Sequence, residues 1–460
     1  MKNIFFVLIL FFTCNLFHGC YIQDVENPNK DNITHQDNTT NQEETSTEVI
    51  DIENLETCEG DFYLRSDEEL AAISHCERIT GNLQLISDSN ITSLDELKKL
   101  VIVEGYLHID VDLIDNIDGV SNLKKVDGHV SVTRSNNLTS LQGLAGLTEV
   151  GGSLEVIFNP QLKTLAGLQN VTSVGGTVNI QSNHGLTSLT GLEKLETVGY
   201  DVIIKHNDLL SDCDGLSGLK EIGRDLIIAA NDGLQSIDGF NSLEKINERL
   251  YIEANYGLES IHGFNNLQTL QDLYIRANNA MTEIGGIYNL ELITGEVYIA
   301  ENQNLVLIDA LQKLITVNEK LSIRMNPNLE SITGFTQLNQ INGDMVITQN
   351  AKLLNLSGLG SLTTVSGNFW VGNSTVLTSL EQLSSVRAIG AGPLELRPYI
   401  FFSLLFHTMA KRSPPMPLLV GSINPNAAFT AIAASTAVPP FFKISIPIWA
   451  ANGWLVATIP

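Results

Sequence analysis

A unit of about 24 residues recurs thirteen times between residues 81 and 390, and no other feature of the sequence constrains the fold as strongly. The apolar strand of each unit begins 24 residues after the previous one, or 23 residues after it in two cases. Such a period is typical of stacked repeats, in which a single unit is too small to bury its own apolar face. The thirteen strands are predicted to begin at Leu83, Leu107, Val130, Leu154, Val178, Val202, Leu226, Leu250, Leu273, Val297, Leu321, Met345 and Phe369.

The spacing of apolar residues inside one unit predicts β-structure. Val178 and Ile180 are two residues apart, so they point to the same side of a strand. Further along, apolar residues recur at every third position, as at Leu186, Leu189 and Leu192, which fits a triangular coil better than an α-helix. We therefore predict an all-β-rich solenoid, a right-handed β-helix of about 13 turns with 24-residue repeats and a short N-terminal capping helix.

Asparagine and glycine also recur in register with the strands. Each Asn is predicted to be buried and to bond to backbone groups at the turn and to the Asn residues above and below it. Each Gly is predicted to supply a corner that needs positive φ. The Asn residues are Asn159, Asn183, Asn207, Asn231, Asn255, Asn278, Asn302, Asn326 and Asn350. The Gly residues are Gly143, Gly167, Gly191, Gly215, Gly239, Gly263, Gly286, Gly334 and Gly358.

The repeat and the residues before it resemble the receptor L domain. The resemblance lies in the segments Cys58-Glu-Gly and Cys76-Glu-Arg-Ile-Thr-Gly-Asn-Leu-Gln-Leu and in the later Val-x-Gly-x-Leu-x-Ile units, and it covers residues 58 to 390. Receptor L domains are leucine-rich-repeat-like β-helices, so the resemblance implies extracellular recognition without naming a ligand. The chain departs from ordinary leucine-rich repeats where it has Gly three residues before the strand, as at Gly151 and Gly175.

The N-terminal segment predicts export. Residues 1–19 combine Lys2 with an apolar run from Ile4 to Phe12 and read as a signal peptide. The segment ends in a sequence that resembles a bacterial lipobox, which implies that Cys20 is lipidated; simple secretion stays open. Residues 20–54 are polar and predict a disordered tether. We therefore expect a lipid-anchored protein at the cell surface or outer membrane, or otherwise a secreted one.

Residues 55–80 are predicted to cap the solenoid. Ser66 and Glu69 have the spacing of a capping box, which indicates the start of a short helix. Cys58 and Cys76 bracket this helix, and in an exported protein we expect them to form a disulfide bond. Cys213 falls at an inward position and predicts a buried thiol.

A stripe of outward-facing strand residues is the candidate ligand-binding surface. Tyr251, Tyr274 and Tyr298 fall on consecutive turns with Arg276 and Arg324 beside them. Exposed aromatic residues with arginine are typical of binding surfaces, although the alternative, that they only stabilise neighbouring strands, stays open. The stripe runs through Gln84, His108, Ser131, Glu155, Asn179, Ile203, Ile227, Tyr251, Tyr274, Tyr298, Ser322, Val346 and Trp370, and Trp370 is a further candidate.

Charge and motifs exclude several functions. The net charge of −26 disfavours nucleic acid as a partner. The acidic stretch from His108 to Asp118 could hold Ca²⁺ through carboxylate oxygens, but it lacks the fixed spacing of a calcium loop, so we interpret it as solvated. We find no nucleophile elbow, phosphate loop or zinc motif, and we predict no enzyme activity, metal or cofactor.

The favoured function is cell-surface recognition or adhesion through a protein or glycan ligand. Two alternatives are a structural envelope component and a β-helix enzyme that cleaves acidic polysaccharides. Such an enzyme needs clustered Asp with Lys or Arg on one face, but here the basic residues are scattered. The outward acidic row is unpaired by sequence, and it consists of Asp201, Asp225, Asp272, Glu296 and Asp344.

The C-terminal segment at 391–460 differs from the rest of the chain. No acidic residue follows Glu395, and nine of the thirteen Pro residues do. The segment is apolar, but Pro interrupts it before any run is long enough to span a membrane. A C-terminal cap, a membrane-associated end and a frameshift in the gene remain open, and the frameshift is favoured.

Overall fold

The computed structural model describes residues 52–377 and 379–390. The predicted signal peptide, Cys20 with its predicted lipidation, residues 20–51 of the predicted tether and the tail at 391–460 lie outside the described residues. At the end of the predicted tether, Ile52–Asn54 form a 3-10 helix.

Each turn of the chain adds one strand to a parallel sheet, which we call the long sheet. Among the described residues this sheet has fourteen strands, and equivalent residues pair from turn to turn, as Val178 does with Val202. The predicted parallel β-solenoid is confirmed, and the cap adds one strand that the sequence did not indicate. The strands are Phe62–Ser66, Leu83–Asn90, Leu107–Ile109, Val130–Thr133, Leu154–Ile157, Val178–Gln181, Val202–Lys205, Leu226–Ala229, Arg249–Glu253, Asp272–Arg276, Val297–Ala300, Leu321–Arg324, Met345–Thr348 and Phe369–Gly372.

The other sides of the coil consist of two-residue strands and 3-10 turns. A nine-stranded parallel sheet holds Thr57–Cys58, Arg78–Ile79, Ile102–Val103, Lys125–Val126, Glu149–Val150, Ser173–Val174, Thr197–Val198, Glu221–Ile222 and Lys245–Ile246. A six-stranded sheet holds Thr269–Leu270, Leu292–Ile293, Thr316–Val317, Gln340–Ile341, Thr364–Val365 and Ala388–Ile389. A four-stranded sheet holds Ser260–Ile261, Glu283–Ile284, Leu307–Ile308 and Ser331–Ile332. The remaining 3-10 helices are Asp95–Leu97, Asp118–Val120, Gln142–Leu144, Asp214–Leu216, Asp238–Phe240, Ser357–Leu359 and Glu381–Leu383.

The change from the nine-stranded to the six-stranded sheet coincides with a turn that is one residue short. The first sheet ends at Lys245–Ile246 and the second begins at Thr269–Leu270. Four positions separate Ile246 from Leu250, but only three separate Leu270 from Leu273. The residue is therefore missing at the corner before the long sheet. Because Leu250 still pairs with Leu273, the long sheet passes through this turn in register.

Apolar side chains fill the inside of the coil. Val178 and Ile180 are 0% and 1% exposed, as the two-residue spacing predicted. Phe240 and Phe264 stack in the interior with their ring centroids 5.3 Å apart. Burying a large apolar side chain stabilises the fold by about 1.5–3 kcal/mol, so the stability of this protein depends on successive turns covering one another. Cys213 is fully buried in the same core, and burial raises the pKa of its thiol, as expected of an unreactive cysteine.

The predicted asparagines form a ladder, which we call the asparagine ladder. Asn183 donates its backbone N–H to Oδ1 of Asn207 at 3.1 Å, and its Nδ2 to the carbonyl oxygen of Val156 at 2.8 Å. All nine members are fully buried. The residue before each member has positive φ, as at Ser182 with 56° and His206 with 53°. The Asn side chains thus bond to the backbone groups that this turn removes from the sheet, which confirms the prediction.

The prediction for the corner glycines is wrong in part. Gly167, Gly191, Gly263 and Gly286 have positive φ, but the other five predicted corners do not. At Gly143 a Cβ atom would lie 1.7 Å from the carbonyl oxygen of Ile117 one turn earlier. These five positions need glycine because successive turns approach closely there. The same reason explains the Gly that replaces leucine before the strands, since a Cβ atom on Gly175 would lie 2.2 Å from a carbonyl oxygen. The five are Gly143, Gly215, Gly239, Gly334 and Gly358.

The first turn carries the predicted helix, Asp67–Ala72. The hydroxyl of Ser66 accepts a hydrogen bond from the N–H of Glu69 at 3.3 Å, and Leu70 is fully buried against the solenoid. Cys58 and Cys76 form the predicted disulfide bond with a Cα–Cα distance of 5.7 Å. Nowhere in 52–377 or 379–390 is there a helix long and apolar enough to cross a bilayer.

Candidate binding surface

Three tyrosines on the outward face of the long sheet lie side by side, and we call them the tyrosine ladder. Tyr251, Tyr274 and Tyr298 occupy equivalent positions on consecutive strands. The rings of Tyr251 and Tyr274 are parallel, with centroids 4.3 Å apart and an angle of 6° between their planes. The ring of Tyr298 is tilted by 41° to that of Tyr274, at 5.9 Å. All three are half-buried, so the stripe is less exposed than the sequence suggested.

Arginines cover both ends of the tyrosine ladder. The guanidinium of Arg249 lies 5.6 Å from the ring centroid of Tyr251, and that of Arg324 lies 4.8 Å from the ring centroid of Tyr298. Nη2 of Arg324 also donates a hydrogen bond to the hydroxyl oxygen of Tyr298 at 2.6 Å. Such cation–π contacts contribute about 0.5–1 kcal/mol each at exposed sites, so they hold the outer rings in place.

The predicted binding residue Arg276 is engaged by carboxylates on both neighbouring turns. Its Nη1 lies 3.0 Å from Glu253 and its Nη2 lies 3.0 Å from Glu301. Because this bridge spans three turns, Arg276 helps to hold successive turns of the solenoid together. It also offsets the negative charge of the two glutamates on the surface. A ligand that uses Arg276 must therefore compete with these two glutamates.

The hydroxyl of Tyr274 donates a hydrogen bond to Glu296. Burial and this carboxylate raise the pKa of Tyr274 well above its usual value near 10, so the phenol stays protonated. The central tyrosine is consequently fixed at its hydroxyl end as well as on its two faces.

Trp370 lies apart from the tyrosine ladder. Ser322 and Val346 occupy the two strands between Tyr298 and Trp370, and Ser322 is fully buried. Three strand spacings of about 4.8 Å place Trp370 on the order of 14 Å from Tyr298 along the sheet. The structure therefore brings together the three tyrosines with Arg276 and Arg324, and leaves Trp370 outside this group.

A second polar ladder precedes the strands, and sequence reasoning missed it. Oδ1 of Asp225 accepts a hydrogen bond from the N–H of Arg249 at 3.0 Å, and Oδ1 of Asp272 accepts one from the N–H of Glu296 at 2.7 Å. The aspartates of the acidic row are thus bonded to the backbone one turn further on, whereas Glu296 accepts a hydrogen bond from the hydroxyl of Tyr274. Asp225 also forms a 2.7 Å ion pair with Arg249. The signal was a short polar residue directly before many of the apolar strand residues, as at Asp201, Asp225 and Asp344.

The interpretation of the stretch from His108 to Asp118 as solvated is wrong for Asp110. This carboxylate is 2% exposed, pairs with Arg134 from the next turn and lies 3.9 Å from Nε2 of His108. Asp115 and Asp118 are exposed, as expected. Since the largely exposed side chain of Arg134 pairs with Asp110, this cluster is a buried carboxylate neutralised from the surface, just after two neighbouring strands of the long sheet.

Protonation of His108 is expected to destabilise the fold. Burial lowers the pKa of His108, and Arg134 lowers it further against the opposing effects of Asp110 and Glu155. His108 takes up this proton near pH 6.5 in the unfolded chain and only at lower pH in the folded chain. The free energy of unfolding is therefore unaffected by this group above about pH 6.5 and decreases as the pH falls below that value. We expect urea midpoints between about pH 7.5 and pH 5 to fall less in His108→Gln than in the native chain.

The exposed His184 provides the control for this prediction. Its side chain is 56% exposed and pairs with Asp208 on the surface. His184→Gln should keep the native dependence of the urea midpoint on pH. Equal dependence in all three chains would contradict the assignment to His108.

No protein-family model matches the chain, and no curated protein matches it. Among solved structures, an internalin (inlF) from Listeria monocytogenes is 16% identical with a TM-score of 0.32, covering 71% of this chain and 88% of its own. The structure of a TLR13–ssRNA13 complex is 12% identical with a TM-score of 0.18, covering 75% of each chain. TM-scores of this size support no argument about function, and the fold of this protein rests on its strand pairing.

Proposed function

We propose that this protein is a non-catalytic recognition protein whose tyrosine ladder binds a protein ligand. One observation carries the proposal: three tyrosine rings, two of them stacked and the third tilted against them, are held side by side on consecutive strands of a regular sheet. Because the rings are already ordered in the free protein, the tyrosine side chains lose little conformational entropy when a partner binds them. Tyrosine and arginine are also the residues that most often dominate protein–protein interfaces.

The packing of the rings favours a protein ligand over a glycan. A sugar ring binds an aromatic side chain by lying on its face, but Tyr274 has another tyrosine on each face. Arg249 and Arg324 lie over the rings of Tyr251 and Tyr298 at the two ends. The ring edges and the charged groups beside them remain for contact, and these suit the mixed polar and apolar surface of a protein.

We further propose that the protein acts outside the cell, anchored by a lipid on Cys20 or otherwise secreted. The apolar N-terminal segment and the resemblance to receptor L domains support this location. The net charge of −26 argues against a nucleic-acid partner, since binding phosphates requires clustered cations. The alternative of a polysaccharide-cleaving enzyme loses support because Asp225 and Asp272 of its acidic row accept hydrogen bonds from the backbone.

Replacing the tyrosine ladder with serine (Tyr251→Ser, Tyr274→Ser and Tyr298→Ser together) is expected to weaken ligand binding by at least about tenfold. Binding is measured for the intact protein on arrays of extracellular proteins and of glycans, and the urea midpoint of each variant verifies folding. The matched control replaces Tyr200 and Tyr256, which are 53% and 51% exposed and lie outside the ladder. Undiminished binding by the triple variant would leave the ladder as a purely structural feature, and binding to glycans alone would contradict the proposed ligand class.

A further inference from the structure

The cap holds three metal-binding side chains that the proposed function does not use. The sulfur atoms of Cys58 and Cys76 and a ring nitrogen of His75 all lie within 4.8 Å of one another. Nε2 of His75 is 3.5 Å from the sulfur of Cys58. No other group of three such ligands is this close in the part of the chain that the structure describes.

Backbone hydrogen bonds hold these residues in place independently of the disulfide bond. The N–H of Thr80 donates to the carbonyl oxygen of Cys58 at 3.1 Å, and the N–H of Cys76 donates to that of Ile73 at 2.9 Å. The two Cα atoms are 5.7 Å apart. We therefore expect the cysteines to stay close to each other when the S–S bond is broken.

Two thiolates and one imidazole form a ligand set typical of zinc. Three protein ligands with a fourth position for water satisfy its tetrahedral preference, and zinc–sulfur distances of about 2.3 Å require the sulfurs to lie about 3.8 Å apart. Side-chain rotation can reach that separation from the observed Cα positions. Cys76 is 2% exposed whereas His75 is exposed, so an ion can enter from the side of His75.

We propose that the cap is a redox-controlled site for a thiophilic divalent cation such as zinc. With the disulfide bond intact the site is closed, because both sulfurs are bonded to each other. Two molecules of a thiol reduce this bond to two cysteine thiols and leave as one disulfide. The cation then replaces one proton on each thiol and binds Cys58, Cys76 and His75.

Cobalt(II) tests the proposal in the intact chain, because thiolate ligands give it a charge-transfer band in the near ultraviolet and tetrahedral geometry gives it strong visible bands. After reduction with a phosphine, the native protein is expected to bind one cobalt ion with both signals, and zinc should displace it. The unreduced protein should show neither signal. His75→Ala should weaken cobalt binding by about tenfold or more, and Cys58→Ser with Cys76→Ser should abolish the signals.

Three results would overturn the proposal. The first is equal signals in the reduced native chain and in the double serine variant; both contain Cys14, Cys20 and Cys213, so a difference between them reports on the cap. The second is unchanged binding in His75→Ala. The third is absence of the signals in the reduced native chain, whether its far-ultraviolet circular dichroism is native or the cap has lost its structure.

Discussion

Asn231→Leu is expected to lower the free energy of unfolding by about 4 kcal/mol. Asn231 lies in the middle of the asparagine ladder, where its Nδ2 donates to the carbonyl oxygen of Ile204 at 2.9 Å and its Oδ1 accepts from the N–H of Asn207 at 3.0 Å. Leucine has a similar volume but leaves both backbone groups buried without a partner. Each such group costs about 1–3 kcal/mol. Urea unfolding followed by far-ultraviolet circular dichroism measures the loss.

The control for this substitution is Asn247→Leu. Asn247 is exposed and is not part of the ladder, so its replacement should change the stability by less than about 0.5 kcal/mol. If both variants unfold at the same urea concentration, the ladder does not contribute to stability as argued. Unfolding in more than one step would be informative as well, because repeat proteins can lose turns separately.

Gly143→Ala is expected to destabilise the protein by at least about 3 kcal/mol, although alanine is the better helix former. A Cβ atom at this position would lie 1.7 Å from the carbonyl oxygen of Ile117 and 2.4 Å from its carbonyl carbon. Both atoms belong to the backbone of the preceding turn, so the clash can be relieved only by separating two turns. Chemical denaturation of the variant and of the native chain measures the effect.

Gly360→Ala is the matched control, since its surroundings are open. Gly360 has a φ of −63°, and the nearest atom to an added Cβ is 3.8 Å away. The substitution should therefore be neutral or stabilise the protein by about 0.5 kcal/mol, because alanine reduces the entropy of the unfolded chain. Similar losses at both glycines would contradict the role of close contact between turns.

The sequence predicted correctly those features that follow from the type of a residue and its position within the repeat. Val178 and Ile180 indicated a strand because apolar residues two apart face one side. Asn183 indicated an interior ladder because a polar residue that recurs in a core position needs fixed hydrogen-bond partners. Both inferences required only the period of the repeat.

The features that the sequence did not predict depend on contacts between neighbouring turns. Asp110 can be buried because Arg134 of the next turn pairs with its carboxylate. Arg276 forms ion pairs with glutamates on both neighbouring turns. Gly143 is glycine because the backbone of the preceding turn lies too close for a side chain. A glycine in a sequence can indicate either such a close approach or a positive φ, and its identity alone does not tell which. The candidate surface was therefore predicted as a column of residues, while the stacking and ion pairing within it were not.

The shortened corner between Leu270 and Leu273 makes a seam in the solenoid, where one side changes from one sheet to another while the long sheet continues. Tyr251 and Tyr274 lie on the two strands that meet there, and their stacked rings cross the seam on the outer surface. A partner that contacts both rings would also hold together the parts of the coil on the two sides of the seam. If the tyrosine ladder binds a partner as proposed, ligand binding would therefore add to the mechanical strength of the solenoid at this single turn.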